Sequence, residues 1–192
     1  MSLTIHTAPA TEPVTLDEAK AHLRVTGSAD DTYITTLIKG ARVASEILMG
    51  RALITQTWRY TSDKFPCGRV IKLEKGRIQS VTSVKYFDSA GVQQTLSTDF
   101  YTVDTYSEPA RVVLKSTKSW PDTADEPNAV EIIYIAGYGN ASTVPQDIIQ
   151  AILFLVGHFY ANREPLMIAT YGQVQELPLT FKWLLLPYAV YM

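Results

Sequence analysis

The chain of 192 residues has one cysteine, Cys67, and three histidines. A single thiol forms neither an internal disulfide nor a thiolate metal cluster, which fits a reducing compartment. His6, His22 and His158 are scattered without metal-ligand spacing, so no metal is expected. Charge of either sign is scarce: Lys and Arg number 17, Asp and Glu 19, and the net charge is -2. That balance argues against strong general affinity for nucleic acid or an anionic membrane. No apolar run is long enough to span a bilayer, which needs ~20 residues; the longest, Ile148 to Tyr160, is broken by Gln150 and His158. The opening MSLTIHTAPATEPVT lacks the basic-then-apolar run of a signal peptide, so a soluble intracellular protein is expected. Also missing are the elbow G-x-S-x-G, the fingerprint GxGxxG and the lysine of GK[ST]. Gly137-Tyr138-Gly139-Asn140 is glycine-rich and follows a strand, but without that lysine it reads as a strand-ending turn.

Apolar residues are plentiful, at 46%. The chain is long enough for one domain with a substantial core, or one domain with an insertion. Asp30 to Met49 is the organising stretch. Ile34, Leu37, Ile38, Ala41, Ala44, Ile47 and Leu48 recur at helical spacing and predict an inward stripe. Asp30 and Asp31 suit the start of a helix and Gly50 its end. The opposite face carries Lys39, Arg42, Ser45 and Glu46 and is expected to be exposed. Before it, Thr15 and Glu18 have capping-box spacing and predict a short helix over 16–24. Residues 1 to 14, with Pro9 and Pro13, read as an extended arm.

After Gly50 the period changes to alternation. Ile54 to Thr61, Val70 to Leu73, Val81 to Phe87, Val92 to Leu96, Tyr101 to Val103, Arg111 to Lys115 and Val130 to Ile135 read as strands. Frequent turns predict an antiparallel meander, curled sheet or small sandwich. Ser116 to Asn128 reads as a surface loop, the most mobile part of this middle. Pro145 opens a helix to Asn162 that is apolar nearly all round. Leu166 to Leu177 is irregular, and Pro178 starts a last short helix. The fold class is α+β: helices at both ends of a strand-rich middle.

Candidate chemistry is thin. His158 sits near Tyr160, Arg163 and Glu164 and is the leading centre, ahead of Cys67, for a small hydrolase or nucleic-acid enzyme; a hydrogen-bonded core or interface histidine explains it more simply. Cys67 lies in a turn with no base nearby in sequence. Arg69, Lys72, Lys75 and Arg77 form the only basic cluster, a weak candidate for a strip facing DNA; a solvated strand edge blunted by lysine explains it more simply. The last fifty residues hold an excess of apolar surface: Trp183, Leu184, Leu185, Leu186, Tyr188 and Tyr191. Exposed, they form a protein–protein contact; inward, they close the core.

PVTLDEAKAHLRV, DDTYITTLIKGARVASEILMGRALITQTW, IQSVTSVKYFDSAGVQQTLSTDFYTVD with SEPARVVLK, and EIIYIAGYG…VPQDIIQAILFLVGHFYANRE resemble, in that order, the head-tail connector proteins of tailed bacteriophages and prophages. The resemblance implies one connector domain over 1–192: a helical hairpin at 16–50, an antiparallel β region at 54–136 and a C-terminal helical segment at 145–192. It implies a structural protein of the virion neck, made in the bacterial cytoplasm, with no catalysis and no cofactor. Copies would form a ring between the portal protein and a downstream neck or tail-completion protein, touching DNA only transiently and no membrane. Lys39, Arg42, Glu46, Trp183, Leu184, Leu185, Leu186, Tyr188 and Tyr191 are then candidate subunit or partner contacts. Another neck or tail-completion protein of the same virion is the alternative.

Overall fold

Helical spacing up to Gly50, alternation after it and helical spacing again from Pro145 divide the molecule. The computed structural model describes residues 1–162 and 179–190. The chain clusters into two compact units: Met1–Ala10, Gly50–Tyr138 and Val190–Met192 form one, and Thr11–Met49 with Gly139–Ala189 form the other.

The first unit is all β. Its strands are β1 (Ser2–Thr7), β2 (Gln56–Ser62), β3 (Val70–Leu73), β4 (Ile78–Phe87), β5 (Gln93–Thr95), β6 (Tyr101–Asp104), β7 (Ala110–Leu114) and β8 (Val130–Ala136). Five make an antiparallel sheet in the order β1-β2-β8-β4-β5; three make a second, β3-β7-β6. The alternation sorts the side chains: Gln56, Trp58 and Tyr60 on β2 turn inward while Thr57 and Arg59 stay half-exposed. Trp58, Tyr60, Ile71, Leu73, Val84, Val112, Ile132 and Tyr134 belong to one apolar core. Burying a side chain of that size contributes ~1.5–3 kcal/mol, so this cluster holds the sheets together. The Tyr134 hydroxyl donates to Glu74 O at 3.0 Å. Burial pushes that phenol above its ordinary 10.0.

Two features of this unit depart from expectation. The amino-terminal arm is extended, but it is also a strand: Ser2 to Thr7 pairs along β2, with a shift of register between Ile5 and Thr7. Pro9 and Pro13 follow the pairing and leave its donors intact. The loop over 116–128, expected to be mobile, is pinned. Trp120 stacks on Phe65 at 4.7 Å, and its indole donates to Gly68 O at 2.8 Å. Ala124 N bonds Phe87 O at 2.9 Å, and Asn128 N bonds Asp63 at 2.8 Å.

The second unit is helical: α1 (Leu16–Leu23), α2 (Asp31–Met49), α3 (Gln146–Ala161) and α4 (Leu179–Leu185). Thr15 caps α1 with the reciprocal Glu18 bond that its spacing predicted. Met49 ends α2, and Gly50 follows at φ 64°, the left-handed region that glycine enters cheaply. Asp30 and Asp31 stand at the start of α2, but their carboxylates reach across to neighbouring helices: Lys20 donates to Asp31 at 2.7 Å, and the Tyr160 hydroxyl donates to Asp30. α2 packs on α1, α3 and α4, and α3 packs on α4. Ile34, Ile38, Ala41, Met49, Ile148, Ile152, Leu155, Val156, Phe181 and Leu185 fill this unit's interior.

Candidate interaction surfaces

The inward face of α2 is not the one its apolar spacing predicted. Ile34, Ile38 and Ala41 are buried as expected, but so are Arg42, Ser45 and Glu46. The arc is rotated toward the polar side because those polar groups satisfy one another. Arg42 donates to Glu46 at 2.8 Å, one turn on, and to Glu12 at 2.7 Å. The Ser45 hydroxyl returns to Ala41 O at 2.8 Å. Arg42 and Glu46, each 8% exposed, are therefore structural ion-pair partners and are corrected as surface contacts. Lys39 is exposed as expected. Around it the helix presents Gly40, Val43 and Ile47, with Ile47 69% exposed. Sequence reasoning assigned Ile47 inward; its place on the wheel, opposite Ile34 and Ala41, was the signal against that.

The C-terminal excess of apolar residues splits. Phe181 and Leu185 point into the helical core. Leu185, proposed as a contact, is thus a core residue at 0% exposure. Trp183 and Leu186 stand exposed, and Leu184 and Tyr188 are half-buried. The Tyr188 hydroxyl donates to Asp147 at 3.1 Å. Tyr191 lies outside the described residues.

The basic cluster does not form one strip. Arg69 donates to Leu114 O at 2.6 Å, and Lys72 stands exposed on β3 opposite Arg111. Lys75 lies over the Trp58 ring at 5.0 Å, and Arg77 lies over the Tyr138 ring at 4.9 Å. The turn between β3 and β4 causes the divergence: Lys75, Gly76 and Arg77 all have positive φ.

His158 is half-buried against Phe159, with Asn162 Nδ2 3.4 Å from its Nδ1. The cleft beside it, about 340 Å³, is lined by Phe154, Gly157, Ala161, Asn162 and Thr180, and none of these is a carboxylate or a thiol. Cys67 is exposed and unbridged. Among the described residues no group of three or more His, Cys, Asp or Glu could hold a metal ion, and no helix is long and apolar enough to cross a membrane.

One constellation escaped the sequence. Arg51, 6% exposed, forks onto the Glu108 carboxylate, with one limb at 2.8 Å. The Tyr138 ring accepts Arg51 at 5.8 Å on top of its contact with Arg77. Burial raises the Tyr138 phenol, and the two guanidiniums oppose that rise. Arg77, Glu108 and Tyr138 line a cleft of about 280 Å³ with Gln79 and Tyr106. Two guanidiniums meet one carboxylate, and among the described residues no nucleophile meets a base there, so the arrangement fixes loops and offers no acid–base pair. Partners this far apart in sequence leave no periodic signal.

Residues 13–96 match the model of a family described as the phage gp6-like head-tail connector protein. Among curated proteins, no sequence matches this chain. Several solved structures share its fold, among them the following three. A chain in the neck of an empty gene transfer agent (GTA) particle, computed with C6 symmetry, has a TM-score of 0.84 and 23% identity; the match covers 100% of this chain and 97% of the other. A chain in the virion of a native GTA particle has a TM-score of 0.80, 23% identity and the same coverage. One in the neck of a native GTA particle, computed with C12 symmetry, has a TM-score of 0.77 and 21% identity, again over 100% of this chain and 97% of that one. Residues 13–96 thus resemble the phage gp6-like head-tail connector family, and the chain shares its fold over its whole length with chains of GTA particles.

Proposed function

We propose that the protein is a structural component of a phage or phage-like particle neck. It acts by assembling with further copies of itself into a ring and by docking, without bond chemistry. The observation that carries this reading is the likeness over 100% of the chain to a protein of the GTA neck, together with the connector match over residues 13–96. In such a ring a heterologous, head-to-tail contact closes when its rotation closes. The ring sits between a portal protein and the next neck or tail-completion protein, extends the DNA channel and presents a docking surface below. The near-neutral charge suits a channel through which DNA slides, since strong phosphate binding would hinder passage. The divergent basic residues support the same view: they do not gather into a phosphate-binding track.

Mass measurement in solution, with and without the portal protein of the same particle, tests this. The expected result is a ring-sized species, formed alone or on adding portal. A chain that stays monomeric and shows no portal affinity at micromolar concentration overturns the reading.

A further inference from the structure

A head-to-tail ring needs two different, complementary surfaces on each copy. The helical unit carries two exposed stripes on different helices. On α2, Lys39, Gly40, Val43 and Ile47 face outward, with Val43 43% and Ile47 69% exposed. A Cβ added at Gly40 would meet nothing within 4 Å, so a neighbouring backbone can approach there. On α3, Asp147, Gln150 and Phe154 face outward, Phe154 being 38% exposed. Beyond Phe154 lies the cleft walled by Gly157, His158 and Ala161.

The two stripes match in charge and in length. Each begins with an exposed charge, Lys39 on one and Asp147 on the other, and ends in an exposed apolar side chain, Ile47 or Phe154. Lys39 to Ile47 spans about 12 Å and Asp147 to Phe154 about 10.5 Å at 1.5 Å per residue. Laid parallel, the helices bring Lys39 beside Asp147 and Ile47 beside Phe154, where Ile47 reaches the apolar cleft. Within one copy α2 turns this stripe away from α3, because Ile34, Ile38 and Ala41 face the interior. A second copy can meet both halves.

Resting on the ring reading above, we infer that the outer stripe of α2 docks in parallel on the outer stripe of α3 of a second copy, with Lys39 against Asp147 and Ile47 against Phe154. The contact is heterologous, so each copy offers one stripe to each of its neighbours.

The test is disulfide trapping in a Cys67→Ser background. The double variant Ile47→Cys/Phe154→Cys, oxidised under conditions where the Cys67→Ser parent assembles, is expected to give a ladder extending beyond dimers. Each single cysteine variant is expected to give little or no crosslinking. In parallel, Lys39→Asp and Asp147→Lys should each weaken assembly at least tenfold, and the charge-swapped double variant should recover it. Assembly of the parent without a ladder, or single variants that dimerise as well as the double variant, overturns the proposed contact while leaving the ring reading intact. A parent that never assembles, alone or with portal, removes the ring reading and this contact with it.

Discussion

At the scale of the residue, the glycine-rich turn shows why composition misleads. Gly137, at φ 124°, lies against β2's approach: a Cβ there would sit 2.5 Å from Ile54 O and 2.6 Å from Ile54 C. The glycine is there for backbone clearance, not for phosphate. Gly137→Ala combines a disfavoured backbone region with a clash against main chain, and should destabilise the protein by roughly 2–5 kcal/mol in urea unfolding. A loss under about 0.5 kcal/mol, the usual range for a surface change, would contradict this account. Asp104 gives a pH prediction. Its carboxylate accepts from the Ser107 hydroxyl at 2.7 Å, from Arg111 at 2.9 Å, and from the Ser107 and Tyr106 backbone amides. The Ser107 hydroxyl first, then Arg111, hold it well below its ordinary 3.8. A depressed folded value means the folded state favours the ionised form. The stabilisation is therefore complete above pH 3.8 and is lost as pH falls through the folded value. The difference in urea midpoint between wild type and Asp104→Ala should hold constant near neutral pH and shrink below pH 3.8. A difference that grows with acid would refute the assignment.

At the scale of the element, strands and helices were legible because their signals are local. Val70 to Leu73 is a strand over the predicted residues, and the Thr15–Glu18 capping box, read from spacing, forms as such. What α2 buries was only half legible. Ile34, Ile38 and Ala41 announce one edge of the arc, but Arg42 and Glu46 enter the interior as a pair, and no hydropathy pattern encodes a pair. Nor does any pattern announce that Glu12, thirty residues earlier, is the second partner of Arg42. Removing one member of a buried ion pair strands the other, at about 3–5 kcal/mol. Arg42→Ala should therefore lower stability by about that amount, whereas the exposed Lys39→Ala should stay within about 0.5 kcal/mol in the same denaturant titration. Equal effects from the two variants would show that the network adds nothing. The same limit applied to the loop over 116–128. Its prolines and carboxylates read as mobile, yet the ring of Phe65, far from Trp120 in sequence, stacks on it.

At the scale of the whole molecule, the α+β class and the order of its parts followed from the two changes of period. The candidate surface followed only in part. Lys39 is exposed as expected, Trp183 and Leu186 take the exposed one of the two readings open for the C-terminal residues, and Arg42, Glu46 and Leu185 are interior. The exposure of Ile47 was readable from its place on the wheel, but the burial of Leu185 is a property of the packed arrangement, which the linear pattern does not contain. The division into units also could not be read from periodicity, since the chain passes from one unit to the other after Ala10, Met49, Tyr138 and Ala189. That interleaving has a consequence in time. A ribosome makes all eight strands of the described residues, ending at Ala136, before it reaches Gln146, the first residue of α3. A nascent chain halted between those two points holds β1 to β8, but of the described helices only α1 and α2. Ile34, Ile38 and Ala41 then wait for a partner helix that has not yet been translated.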